Sequence, residues 1–158
     1  MASGRIDPWI GSAVDLYFAY GSNLSTSRMR GRVCSAEVIG RAQLLNHQLT
    51  FDKRGRDGSG KANVTSMERA STWGVLYRIE ASSFSRLDGF ESGYRRIRVE
   101  VALTSGETRN ADTYRAIAAA SGLLPYSWYK KLITDGARAH DLPEEYVAFL
   151  DSIPAIPA

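Results

Sequence analysis

Val14-Asp15-Leu16-Tyr17-Phe18-Ala19-Tyr20-Gly21-Ser22-Asn23-Leu24 is the stretch that decides the fold. Residues 14–20 form a short apolar and aromatic run, which reads as a buried strand. The run stops at Gly21-Ser22-Asn23, where glycine and two small polar residues mark a turn. Ser25 then stands where an N-cap opens a short helix through Gly31. Further on, residues 36–45 and 48–53 read as two strands around Asn46-His47, and residues 63–67 and 72–79 continue the β-rich region. Five strands are thus expected before the first long helical pattern, residues 83–90, opened by Ser83 as N-cap.

A strand over 94–103, a turn at Ser105-Gly106 and a strand over 108–117 follow. The remainder is helical. Residues 126–139 place Tyr129, Leu132, Ile133 and Gly136 on one face. Asp141 is then expected to cap a last helix, with Glu144 three residues later as in a capping box, and with Tyr146, Phe149, Leu150 and Ile153 as its apolar stripe. Consecutive strands with one inserted helix and two terminal ones describe an α+β domain built on a twisted mixed sheet or a small barrel. The pattern alone leaves those two open. Residues 1–13 read as a flexible N-terminal arm, 14–153 as one domain, and 154–158, with Pro154 and Pro157, as a tail.

The 158 residues are 44% hydrophobic and 23% charged, which fits one globular domain able to bury a core. No stretch reaches the roughly 18 apolar residues of a spanning helix, and the start lacks the apolar core of a signal peptide, so a soluble, cytoplasmic protein outside the membrane is expected. Cys34 is the one cysteine, and His47 and His140 are the only histidines. An internal disulfide is excluded, and a Cys/His zinc site lacks ligands, so no metal is expected. The net charge of +3 is concentrated at Arg28, Arg30, Arg32 and at Lys53, Arg54, Arg56. Neither cluster lies in a nucleic-acid motif and acids nearly balance bases, so solvated faces account for them better than a nucleic-acid partner. An anionic small substrate would exploit the same bias.

Three features invite chemistry. Glu91 lies three residues beyond Asp88, four beyond Leu87 and seven beyond Phe84, so helical spacing aims its carboxylate at the core side. Burial of an unpaired carboxylate is expensive: such a group finds donors or has its pKa raised toward the range of proton transfer. A salt bridge to Arg95 or Arg96 is the structural alternative, and position alone does not decide. Tyr20-Gly21-Ser22-Asn23-Leu24 is either a plain strand-to-helix turn or a nest of backbone N–H groups suited to a carboxylate or an oxyanion. Ser22 as a nucleophile is disfavoured, because a serine triad needs a positioned base. Gly55-Arg56-Asp57-Gly58-Ser59-Gly60-Lys61-Ala62 falls short of a phosphate-binding loop: Ala62 has no hydroxyl for magnesium, and the residues after it open no helix. A hairpin loop explains those glycines better.

Taken together, the segments resemble the γ-glutamylcyclotransferases. Tyr17-Phe18-Ala19-Tyr20-Gly21-Ser22-Asn23-Leu24 resembles that family's opening motif, Trp73-Gly74-Val75-Leu76-Tyr77 its central strand, and Leu87-Asp88-Gly89-Phe90-Glu91 the segment ending in its catalytic glutamate. Pro125, Tyr129-Lys130-Lys131-Leu132-Ile133, Gly136-Ala137 and Leu142-Pro143-Glu144-Glu145-Tyr146 resemble the C-terminal part of the vertebrate enzyme acting on γ-glutamyl amino acids. The likeness runs from about Leu16 to Ile153.

The resemblance implies a small mixed β-barrel with flanking helices and a pocket between the turn at 20–24 and Glu91. It implies release of 5-oxoproline by attack of the substrate α-amine on its own γ-carbonyl, with Glu91 as base and acid and with no cofactor. Tyr20, Gly21, Ser22, Asn23, Leu24, Tyr94 and Tyr129 are the substrate-binding residues it implies, and it admits a homodimer. The segment between Glu91 and Tyr94 is shorter than in the vertebrate enzyme, and Ser92 stands where glycine usually follows the glutamate. Both changes fall beside the leaving group, which leaves γ-glutamyl amino acids, γ-glutamylamines and a γ-glutamyl protecting group on a biosynthetic intermediate as candidates. Glutathione ranks behind these, since the glutathione-specific branch resembles the C-terminal segment less. The rival from another class is a non-catalytic module of the same fold that binds a γ-glutamyl metabolite.

Overall fold

Tyr17, Phe18 and Ala19 are buried in succession, so both faces of the first strand, β1 (Val14–Ala19), are covered. This is the arrangement expected of a strand with barrel interior on one side and helices on the other. The structure is a computed structural model that describes residues 14–158. The arm expected over residues 1–13 lies outside the described residues.

β1 leads through a 3-10 turn, Ser22–Leu24, into helix α1 (Thr26–Arg32). Ser25 caps α1 as expected, its side chain accepting a hydrogen bond from Arg28 N–H at 3.3 Å. The next two strands are long: β2 (Glu37–Arg54) and β3 (Gly60–Glu80). They replace the four shorter strands read from the sequence, so three strands rather than five precede helix α2 (Phe84–Phe90). The interruptions are absorbed rather than turned into loops. Asn46 and Arg69 adopt left-handed backbone, at φ 60° and 67°, and Arg69 N–H donates to Asn46 Oδ1 across the pair. Pairing resumes on both sides, with Leu45 opposite Ser71 and His47 opposite Ser66.

The Gly55–Gly60 segment is the hairpin connection between β2 and β3, closed by Gly55 N–H to Ser59 C=O at 2.8 Å. Lys61 and Ala62 continue in β3, which removes the helix a phosphate loop requires. A 3-10 turn, Ala81–Ser83, leads into α2, and Ser83 makes no side-chain cap bond, contrary to its expected role.

β4 (Tyr94–Leu103) and β5 (Thr108–Ala116) form the second hairpin. The sheet closes in the order β1-β3-β2-β4-β5, with β1 and β5 meeting in parallel at Tyr17 and Asp112. Helix α3 (Ser127–Ala139) packs Tyr129, Ile133, Gly136 and Ala137 inward at helical spacing. Helix α4 (Glu144–Ser152) buries Tyr146 and Leu150. Its N-cap is Pro143, not Asp141. Asp141 instead takes left-handed backbone, φ 54°, with Asp141 N–H bonded to Arg138 C=O and Leu142 N–H to Ala137 C=O. This pair of bonds is a Schellman closure of α3. The closing residues are also pinned: Ile156 exchanges backbone hydrogen bonds with Pro125 and Ser127. Among the described residues no helix is long and apolar enough to cross a membrane.

Candidate active site

Glu91 lies one residue past the end of α2, its N–H bonded to Asp88 C=O at 3.1 Å. A tight turn through Gly93, at φ 85°, then brings Tyr94 N–H back to Glu91 C=O at 3.1 Å. The short segment between Glu91 and Tyr94 is therefore a compact turn that holds the carboxylate at the start of β4. Its side chain is 15% exposed.

The ion-pair partner differs from the one expected. Arg95 and Arg96 sit on β4, and Arg96 pairs with Asp88 and Asp112. Glu91 Oε1 instead faces Arg32 Nη1, from α1, at 3.6 Å. Asn23 lies between the two groups. Its Nδ2 donates to Glu91 Oε1 at 3.3 Å and to Tyr17 Oη at 3.0 Å, and its Oδ1 accepts from Arg32 Nη1 at 3.1 Å. Tyr77 Oη fixes the same residue from behind by donating to Asn23 C=O at 2.8 Å. Burial pushes the Glu91 carboxyl above its ordinary range, while Arg32, Arg28, Lys53 and the Asn23 amide pull it back without cancelling the rise. A carboxyl in that state can exchange a proton near neutral pH more readily than a free glutamate.

Glu91 faces two connected spaces. The inner one is a recess of about 30 Å³ walled by Tyr17, Tyr20, Gly21, Ser22, Asn23 and Tyr114. The outer one is an open cleft of about 450 Å³ between α1, the β2–β3 hairpin and Trp128 of α3. Ser22, Glu91, Tyr94 and Tyr129 line both. Among the described residues no group of three or more His, Cys, Asp or Glu side chains converges to hold a metal. Glu91 therefore lines open space while it is paired with Arg32.

Of the residues named from the resemblance, Tyr20, Gly21, Ser22, Asn23, Tyr94 and Tyr129 line these spaces. Leu24 does not. It is fully buried, and its N–H is taken by Gly21 C=O at 3.0 Å. The N–H groups of Gly21, Ser22 and Asn23 precede that first internal bond, so they are the donors of the turn. Gly21 packs closely on the strand beside the recess: a Cβ there would lie 3.1 Å from Ala62 Cβ. Ala62 fixes both tyrosine rings, and the Tyr129 hydroxyl keeps its own proton to donate. Tyr94 Oη donates to Ala62 C=O at 2.6 Å, and Tyr129 Oη accepts from Ala62 N–H at 3.0 Å.

Arg28, Arg32, Lys53 and Arg56 also line the cleft, together with Lys61. Two basic clusters read from the sequence as solvated faces thus converge on one site. Part of their signal was present: Arg28 and Arg32 are four residues apart, but the expected helix stopped at Gly31, whereas α1 runs to Arg32 and puts both on one face.

A closed mixed barrel thus carries a largely buried carboxylate beside the turn at 20–24, at the meeting of a small recess and an open cleft. The profile of the AIG2-like family matches residues 71–150. The chain is 35% identical over 147 residues to the γ-glutamylcyclotransferases of Bos taurus and of Homo sapiens, covering 87% of this chain and 78% of each relative. A solved structure described as a γ-glutamyl cyclotransferase superposes with TM-score 0.84 at 32% identity, over 90% of this chain and 89% of that one. The chain belongs to the AIG2-like family and, within it, to the γ-glutamylcyclotransferases.

Proposed function

We propose that the enzyme releases 5-oxoproline from a γ-glutamyl compound and that Glu91 carries the protons. The observation that carries this reading is one buried carboxylate with a raised pKa, shared by the donor-lined recess and the open cleft. Ionised Glu91 takes a proton from the substrate α-ammonium, and the freed amine attacks its own γ-carbonyl. A five-membered ring closes through a tetrahedral intermediate. The N–H groups of Gly21, Ser22 and Asn23 are suited to the negative charge of the substrate carboxylate or of the developing oxyanion. Glu91-H then protonates the departing nitrogen as its bond to the carbonyl carbon breaks, and the carboxylate collects the second proton of the ring nitrogen for the amine that leaves.

Because nucleophile and electrophile belong to one molecule, the pocket mainly has to hold the substrate folded for attack. The rings of Tyr94 and Tyr129, fixed through Ala62, suit that purpose. The exposed, unpaired Cys34 suits a reducing cytoplasmic setting. Incubating the protein with γ-glutamyl amino acids, γ-glutamylamines and glutathione and measuring 5-oxoproline tests the reading. Release from at least one class is expected; no release from any of them would refute turnover of these classes and favour a dedicated biosynthetic substrate or a binding module.

A further inference from the structure

The outer cleft carries more positive charge than a γ-glutamyl unit uses. Five cationic side chains, Arg28, Arg32, Lys53, Arg56 and Lys61, line it against two carboxylates, Asp57 and Glu91. Arg32 is engaged with Glu91 and Asn23. Asp57 reaches Lys61 at 3.3 Å but is also held in the hairpin turn by Ser59 N–H and Oγ, at 3.0 and 2.6 Å. Arg28, Lys53 and Arg56 have no ion-pair partner among the described residues. The Arg28 Nε donor is buried and unsatisfied.

Lys53 and Lys61 are held against aromatic rings, while Arg56 stands exposed at the hairpin tip. Lys53 Nζ lies 5.1 Å from the Tyr94 ring centroid, and Lys61 Nζ lies 4.4 and 5.0 Å from those of Tyr129 and Trp128. Burial lowers the Lys53 ammonium pKa; nearby Glu91 opposes this, and Lys61 and Arg56 lower it further. Cations fixed in one cleft at the cost of mutual repulsion make a site for an anion. Their placement says which part of the substrate is anionic. The glutamyl α-amine has to reach Glu91 at the inner end, so the leaving group extends outward to the hairpin cations Lys53, Arg56 and Lys61. One leaving-group carboxylate answers one of them.

We infer that the preferred leaving amine carries at least two negative charges, as an acidic amino acid or a phosphorylated one does, and that Arg56 and Lys61 select it. The inference rests on the cyclotransferase reading above. γ-Glutamylamines and cationic leaving groups are disfavoured by the same field.

The test compares kcat/KM for 5-oxoproline release from γ-glutamylglutamate and γ-glutamylphosphoserine with that from γ-glutamylglutamine, which matches the glutamate in shape without its second charge. The multiply anionic leaving groups are expected to be favoured by about tenfold or more, a preference that shrinks at high salt. The same preference is expected to shrink in Arg56→Ala and in Lys61→Ala, with each variant checked for an unchanged melting temperature. Whichever of the two is faster tells the dianionic carboxylate from the more highly charged phosphate. Equal rates from glutamate and glutamine leaving groups would overturn the inference while leaving the reaction intact; absence of 5-oxoproline from every substrate would overturn both.

Discussion

Gly136→Ala isolates the contact that sets the donor turn. Gly136 lies in the interior of α3, where alanine is intrinsically better by about 1 kcal/mol. On helix propensity alone the substitution should stabilise. A Cβ at this position, however, would lie 2.6 Å from the Leu24 carbonyl carbon and 2.7 Å from both Leu24 O and Leu24 Cβ. Two of these atoms are backbone and cannot rotate away, which puts the overpacking cost toward the upper end of about 1–3 kcal/mol. The net loss is then about 2 kcal/mol, or a melting temperature lower by roughly 4–8 °C for a chain of this size. Leu24 closes the turn that lines the recess, so on the proposed mechanism kcat/KM should fall as well, by up to about 10²-fold if the turn moves by an ångström. Gly31→Ala is the control: Gly31 is also helical, with nothing within 4 Å of an added Cβ, and should raise the melting temperature by about 2–4 °C. Thermal unfolding of the two variants beside wild type measures both. A Gly136→Ala protein as stable as Gly31→Ala would refute the idea that this contact fixes the turn.

The base role of Glu91 predicts that kcat/KM falls on the acid side as pH drops through a carboxyl pKa above the ordinary glutamate range. Arg32 pulls that pKa down, so Arg32→Met should move the acid limb to higher pH; an unmoved limb in the pH–rate profile would count against the pairing. Because the folded pKa is raised, ionisation of Glu91 costs stability. The cost is absent below the unfolded pKa of about 4.3 and grows as pH rises through the folded value. Glu91→Gln should therefore melt higher than wild type at neutral pH, and the difference should vanish in acid. Tyr129→Phe leaves the buried Ala62 N–H without its acceptor, which should cost about 1–3 kcal/mol in denaturant unfolding.

Where structure follows from neighbouring residues, the sequence was readable. In β4 and β5 the alternation of Ile97, Val99 and Val101 with charged residues, and the turn at Ser105-Gly106, place the hairpin within a residue of its observed bounds. The merging of four expected strands into β2 and β3 depends on Asn46 and Arg69, which accept left-handed backbone only because they meet across the pair. Asp141 carries the composition of an N-cap, yet the Schellman closure of α3 claims its backbone. The site divides in the same way. Helical spacing linked Glu91 to the buried Phe84 and Leu87, but Glu91 lies one residue beyond α2 and the turn through Gly93 holds it; the motif marked the turn at 20–24. The partner of Glu91 is Arg32, on a helix that tertiary packing alone brings near, and the cationic cleft exists because α1, the β2–β3 hairpin and α3 line one space.

The central claim is that Glu91 moves the protons of an intramolecular cyclisation. Its most direct test is 5-oxoproline release by Glu91→Gln beside wild type, on the best γ-glutamyl substrate of the panel, with substrate affinity measured for both. Glutamine keeps the shape and the hydrogen bond to Asn23 but cannot take a proton, so binding should persist while turnover falls by at least about 10²-fold. Turnover at the wild-type rate in the variant would contradict the account.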